Sequence, residues 1–237
     1  MRSQTAYLSD DDLRNIPSYA ISEAAHYLCI PRSTITYWVL GRPSAQDPTV
    51  RDPKPVIQKP QQAGRGLSFI NLVELHVLDG LRRGFHMPLP KIRKALDYLM
   101  KKFPTPHPLV DRAFETDGVN LFIDELGHLI NITEAGQLAI RECVKQYLQR
   151  VDRDASGLPR RLYPFTVKNL HSPPKTIVID PDVSYGRPAI VRRGVATAMI
   201  AERLWAGESS TDLIKDYALK REEFDEAIRC ELRSKAA

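Results

Sequence analysis

Tyr19-Ala-Ile-Ser-Glu-Ala-Ala-His-Tyr-Leu-Cys-Ile-Pro-Arg-Ser-Thr-Ile-Thr-Tyr-Trp-Val-Leu-Gly41 reads as two short helices joined by a tight turn. Ser22 is expected to cap the first helix, its hydroxyl accepting from a free N–H of the opening turn, with Ile21 just outside. Ala24, Ala25 and Leu28 then form a small apolar face that allows close packing. Pro31 suits the first turn of a second helix, where its missing N–H costs nothing. Ile35, Trp38 and Val39 follow at helical spacing. Arg32, Ser33, Thr34, Thr36 and Tyr37 are left toward the exposed start of that helix, and they are side-chain types that reach phosphates and base edges in a major groove. An ordinary helical hairpin would carry the same pattern, so the rest of the chain has to separate the two readings.

The chain has 237 residues, 43% of them hydrophobic, which suits a globular protein with a proper core. Its net charge is only +5, but the charge is unevenly spread. From Arg14 to Arg112 there are 15 basic and 7 acidic residues, whereas from His171 onward there are 11 of each. The basic excess therefore coincides with the candidate recognition helix, where it would supply the salt-dependent part of nucleic-acid affinity. Cys29, Cys143 and Cys230 are scattered and match no metal or redox spacing, which fits idle thiols in a reducing compartment. The acidic start (Ser9 to Asp12) does not resemble a signal peptide, and no apolar run approaches a membrane span. A soluble, cytoplasmic protein is expected, without cofactor or metal.

Between Arg42 and Gly66 five prolines (Pro43, Pro48, Pro53, Pro55, Pro60) break regular structure, while Arg42, Arg51, Lys54, Lys59 and Arg65 outnumber Asp47 and Asp52. This is a basic, extended loop, either a long wing or a linker. Ser68 is expected to cap a helix carrying Phe69, Leu72, Val73, His76, Val77 and Leu81, stopped by Gly84. Pro90 opens another, with Ile92, Leu96, Leu99, Met100 and Phe103 in one stripe. His76, on an apolar face, reads as a packed core residue. The order helix, turn, helix, basic wing, helix, helix from Tyr19 to Phe103 resembles the DNA-binding domain of MerR-type regulators. The resemblance rests on the aliphatic-Ser-x-x-Ala first helix, Ser33-Thr34-Ile35 before Trp38, Arg65-Gly66-Leu67-Ser68-Phe69, and Leu81 to Phe85 followed by Leu89-Pro90-Lys91-Ile92. It departs at Thr36 and Tyr37, where that family often has two basic residues. The resemblance implies double-stranded operator DNA as a partner, with Arg42 and Arg65 on phosphates.

In the middle of the chain, Val119 to Ile123 and His128 to Ile132 are expected to pair as a hairpin across Glu125-Leu126-Gly127. Thr133 is expected to cap a helix running to about Val151, a candidate dimer element. Glu115, Asp117, Asp124 and Glu125 have no fixed spacing, no positioned histidine and no phosphate loop, so a non-enzymatic protein is expected. Beyond them, Thr176 to Asp180 reads as a strand, Pro181 to Gly186 as a turn and Pro188 to Val191 as a returning strand, followed by three short helices. Ile179-Asp180-Pro181, Gly186-Arg187-Pro188, Arg193-Gly194, Trp205 to Ser209 and Leu213-Ile214-x-Asp216-Tyr217 resemble a small bacterial domain of unknown function. That domain occurs in VapB-like antitoxins and is typically encoded beside PIN-type ribonuclease toxins.

The expected fold class is mainly α with short β elements. Residues 16–104 form the winged helix-turn-helix, 105–170 a small α+β connecting region and 171–237 a β-hairpin plus three helices. Taken together the resemblances imply a homodimeric antitoxin that binds its operator and neutralises a PIN-type ribonuclease. The toxin's carboxylates around Mg²⁺ would attract Arg187, Arg192 and Arg193. The same arginines suit an internal role bracing the strand-to-helix turn. A free-standing transcription regulator with a ligand- or partner-sensing C-terminal domain is the alternative, and an enzyme built on the middle region a third.

Overall fold

The computed structural model describes residues 12–42, 54–60, 64, 66–83, 88–102, 105–111, 114–130, 133–166 and 174–232. Nine helices and two small antiparallel sheets are found among them. The fold is mainly α with short β elements, as expected. In chain order the helices are α1 (Ile21–Leu28), α2 (Arg32–Leu40), α3 (Phe69–Arg83), α4 (Leu89–Lys102), α5 (Val119–Ile130), α6 (Glu134–Leu148), α7 (Thr197–Trp205), α8 (Ser210–Asp216) and α9 (Arg221–Leu232). Strands β1 (Val151–Arg153) and β2 (Pro159–Leu162) pair between α6 and the C-terminal part; β3 (Ile177–Val178) and β4 (Ala189–Ile190) pair within it. One main-chain bridge, between Leu162 and Ile179, links the two sheets.

A continuous apolar cluster runs from Tyr19 through Trp38, Phe69, Leu78, Leu96, Phe122 and Leu148 to Leu162. The helix-turn-helix and the middle helices thus share one core. A second cluster, with Ile177, Ile190, Ile200, Leu213, Phe224 and Cys230, holds α7, α8 and α9 against the β3–β4 hairpin. α3 lies at the centre of the first. Its start is closed reciprocally: the Asn71 N–H donates to Ser68 Oγ and the Ser68 N–H to Asn71 Oδ1, each 3.2 Å long. His76 lies inside, its Nε2 3.1 Å from the Tyr147 carbonyl and its ring against Tyr147 and Phe165. It is the packed core residue expected.

The middle region differs from the expected hairpin. Val119–Ile130 is helical, because Val119, Phe122, Ile123, Leu126 and Ile130 recur at 3.6-residue spacing. Gly127 does not turn a hairpin; it lies within the helix, where a Cβ would meet the end of the Gln137 side chain. Thr133 does cap α6, accepting from the Gly136 N–H, but the helix ends at Leu148 and Val151 starts β1. The β1–β2 turn is built on Asp154, whose Oδ1 accepts from the Ser156 and Leu158 N–H groups, and on Gly157 at φ 87°. Residues 12–14 are tied into the rest of the chain. Arg14 Nη1 is 2.6 Å from Asp154 Oδ2, and the Arg14 carbonyl accepts from the Ile70 N–H. Gly84, the expected stop of α3, lies outside the described residues, as do Phe103 and Pro104.

Two outcomes follow from this packing. In an open helix Ala is favoured over Gly by about 1 kcal/mol, but a Cβ on Gly80 would stand 2.6 Å from Tyr147 Cγ. Gly80→Ala is therefore expected to destabilise the protein by about 1–3 kcal/mol, read as a lower urea midpoint; an unchanged or raised midpoint would contradict the α3–α6 contact. Burial pushes His76 down to about 3. In the unfolded chain it titrates near 6.5, so the unfolded state binds the proton first as pH falls. The stability due to neutral His76 is complete above that value and is lost toward pH 3, at up to about 1.4 kcal/mol per pH unit. His76→Gln should flatten the pH dependence of the urea midpoint between these limits, and parallel curves for the two proteins would contradict it.

Candidate nucleic-acid interface

The helix-turn-helix is set by backbone geometry more than by side-chain caps. Ala20, not Ser22, takes the N-cap position of α1, and Ser22 is an exposed helical residue. The reason is Glu23, whose Oε2 reaches back 2.8 Å to the Ala20 N–H and satisfies the opening turn. Cys29 adopts a left-handed conformation (φ 54°) that ends α1, and the Ile30 N–H closes onto the Ala25 carbonyl. Pro31 caps α2, with the Thr34 and Ile35 N–H groups on its carbonyl. Ile35, Trp38 and Val39 are buried, which fixes the rotation of α2 and turns its opposite face outward.

On that outward face Arg32 and Ser33 are exposed, and Thr34, Thr36 and Tyr37 are half-buried. The Thr36 hydroxyl donates back to the Arg32 carbonyl at 2.8 Å, leaving its lone pairs free to accept. Arg42, exposed just past the end of α2, places its guanidinium 4.7 Å from the Tyr37 ring centre. Arg93 of α4 comes to 5.6 Å of the same ring. Tyr37 is thus a platform between two cations, an arrangement in which the ring quadrupole offsets their mutual repulsion. Arg42 and Arg93 bring basic charge against Tyr37, Arg42 exposed and Arg93 with Nε and Nη2 buried. Arg93 escaped the sequence reading because only the packing of α4 beside α2 brings it there. Arg65 lies outside the described residues. The returning part of the α2–α3 connection is anchored: the Val56 and Ile57 N–H groups donate to the Trp38 carbonyl, and Asn71 Nδ2 to the Gln58 carbonyl.

The other side of α1 holds the C-terminal part. Tyr19 Oη donates to the Gly186 carbonyl at 3.1 Å, Arg187 Nη1 binds both Glu23 Oε1 and Tyr27 Oη, and His26 Nε2 lies 3.1 Å from Glu231 Oε2. Burial pushes the Tyr19 and Tyr27 phenols up, so both stay protonated. Burial also works against a charged Glu231, but hydrogen bonds from His26 and Thr197 outweigh it and hold the carboxyl below its ordinary range. Arg187 is consequently separated from Arg192 and Arg193. Arg192 makes a two-pronged pair with Glu223 (2.8 and 2.6 Å), and Arg193 donates through Nε to the Ala218 carbonyl. Arg193 alone of the three has no carboxylate partner among the described residues.

Glu115 and Asp124 are each paired with an arginine, Arg153 and Arg141. No group of three His, Cys, Asp or Glu side chains among the described residues is placed to hold a metal ion. No described helix is long and apolar enough to cross a membrane.

Residues 17–96 match a family described as "Putative DNA-binding HTH domain", and residues 177–229 match "Protein of unknown function (DUF433)". A relative from Mycobacterium tuberculosis, named "Putative antitoxin VapB45", is 29% identical over 233 residues, covering 90% of this chain and 93% of its own. The crystal structure of Rv2018 from Mycobacterium tuberculosis superimposes with a TM-score of 0.66 at 25% identity, covering 90% of this chain and 98% of that one. The chain is thus similar along nearly its whole length to a protein named a putative antitoxin, and its helix-turn-helix lies in the stretch that matches a putative DNA-binding domain.

If Arg32 and Arg42 contact phosphates, each replacement by Ala lowers affinity for all duplex sequences alike. Each also reduces the slope of log K against log salt by about 0.9. Thr34→Ala should instead alter base preference. Gel-shift titrations over a salt series would check this, and an unchanged slope for Arg42→Ala would contradict it.

Proposed function

We propose that this chain is the antitoxin of a toxin–antitoxin pair: a cytoplasmic homodimer that represses its own operon through its MerR-like DNA-binding domain and neutralises a PIN-type ribonuclease. The observation that carries the DNA-binding part is the outward face of α2. There Arg32 and Ser33 are exposed beside Arg42, which is stacked on Tyr37. Residues 16–104 take the operator in this reading, 105–170 the dimer contact and 171–237 the toxin. Likeness to a protein named as an antitoxin supports the pairing with a toxin.

For the dimer, α6 offers its outer side, where Leu138 is 60% exposed between Ala135 and Ala139. Two half-sites a helical turn apart multiply the specificity of one short recognition helix. For the toxin, Arg193 is favoured over Arg187, which α1 already engages, and over Arg192, which is paired with Glu223. The protein should be tested whole, because α6 packs on α3 and a fragment starting at residue 105 would expose that core.

Full-length protein is expected to form a stable complex with the ribonuclease encoded beside it and to suppress its RNA cleavage. Arg193→Glu should weaken inhibition about tenfold or more while leaving operator affinity intact, as loss of one charged interfacial contact does. Failure of the wild-type protein to associate with that ribonuclease, with operator binding retained, would overturn the antitoxin reading in favour of a free-standing regulator.

A further inference from the structure

Among the described residues, the aromatic ring left most open to water is also one that the backbone strains to present. Tyr185 is 95% exposed, more than any other large hydrophobic side chain among the described residues. It has φ 55° and follows Ser184 at φ 47°, so two successive side-chain-bearing residues occupy the left-handed region. Each such residue costs about 1–2 kcal/mol relative to ordinary backbone. The turn is nevertheless well fixed. The Gly186 and Arg187 N–H groups donate to the Val183 and Ser184 carbonyls, Ser184 Oγ donates to the Gly194 carbonyl at 2.6 Å, and Gly186 is pinned beneath Tyr19. A ring that served the fold would be packed; this one is held out.

The Ser184–Gly194 bond sets the turn beside a second projecting one, Val191-Arg192-Arg193, all three residues exposed. Val191 adds an apolar surface at 47% exposure, and Arg193 adds a positive charge with no carboxylate partner among the described residues. Arg192 is tied to Glu223 and so steadies the second turn. Both turns rest on secondary-structure ends held by backbone hydrogen bonds, so little conformational entropy remains to be lost on docking. A protruding Tyr with an adjacent Arg, on a preorganised base, has the composition of a binding hot spot between proteins.

We propose that these paired turns are the toxin-docking surface, with Tyr185 as its anchor, entering an apolar pocket on the partner whose rim carries carboxylates facing Arg193. This rests on the antitoxin reading and gives it a contact residue that the three arginines alone did not supply. A protein is favoured over nucleic acid because the patch combines an aromatic ring and a valine with a single unpaired cation, in a region of balanced charge.

Tyr185→Gly separates docking from folding, since glycine accepts φ 55° without strain. The variant should keep or raise the melting temperature, keep operator affinity, and lose tenfold or more in affinity for the purified PIN-type ribonuclease, measured by calorimetry with full-length protein. Tyr185→Phe should retain most of that affinity, because the ring rather than the hydroxyl fills the pocket. Wild-type binding to the ribonuclease with undiminished binding by Tyr185→Gly would overturn this inference and leave the antitoxin reading standing. No binding by the wild type would overturn both. Weakened operator binding with ribonuclease affinity unchanged would assign Tyr185 to DNA and equally overturn it.

Discussion

Tyr19 joins three parts of the structure at once. Its main chain exchanges two hydrogen bonds with Leu67 (3.0 and 2.8 Å), closing the long α2–α3 connection at its base just before α3 begins. Its side chain, 2% exposed, crosses to the Gly186 carbonyl. Gly186 has φ 73°, and a Cβ there would stand 2.2 Å from Tyr19 Oη, so only glycine allows the approach. One residue therefore fixes both where the basic connection returns and where the C-terminal part sits. Arg187 and Glu231 add polar contacts along α1, and the Leu162–Ile179 main-chain pair ties the C-terminal part in from the β1–β2 side.

This arrangement divides the surface of the helix-turn-helix. α1 is covered by α2 and α3 on one side and by the C-terminal part on another, through Tyr19, Glu23, His26 and Tyr27. The outward face of α2 remains open. The C-terminal part in turn has its own core, and Tyr185 and the Val191-Arg192-Arg193 turn are exposed on it. A protein that engages DNA and a second macromolecule at once needs two separate faces. The antitoxin reading uses both, whereas a DNA-binding protein acting alone would leave the exposed, strained Tyr185 without a use.

Much of this was legible in the sequence where the signal was local. The α1–turn–α2 unit, the Ser68 cap, the Thr133 cap, and the order strand, turn, strand and three helices after Thr176 are all set by nearest-neighbour chemistry. The motifs behind the antitoxin resemblance agree with the name of the Mycobacterium relative. Legibility failed where the deciding contact was distant or ambiguous. Val119 to Ile130 holds several β-formers and a glycine, so composition pointed to a hairpin; the helical spacing of its apolar residues accounts for the helix found. The β1–β2 hairpin was hidden because Val151-Asp152-Arg153 and Pro159-Arg160-Arg161-Leu162 are mostly polar, although Asp154 to Gly157 carried a turn signal. At the candidate interface, Arg93 reaches Tyr37 only through tertiary packing. Arg187 was readable as a cation but not as one committed to Glu23, a residue 164 positions away in sequence.

The central claim, that the C-terminal part is seated on the helix-turn-helix through Tyr19 and Gly186, is tested most directly by a double-mutant cycle on unfolding free energy. Gly186→Ala alone should be strongly destabilising, since it combines a positive φ with a collision against Tyr19 Oη. In a Tyr19→Phe background the oxygen is gone and only the backbone strain and a milder ring contact remain. Gly186→Ala is then expected to cost less by about 1 kcal/mol or more, the coupling expected of residues in direct contact. Additive effects of the two substitutions, within about 0.3 kcal/mol, would mean that the residues do not touch and would contradict it.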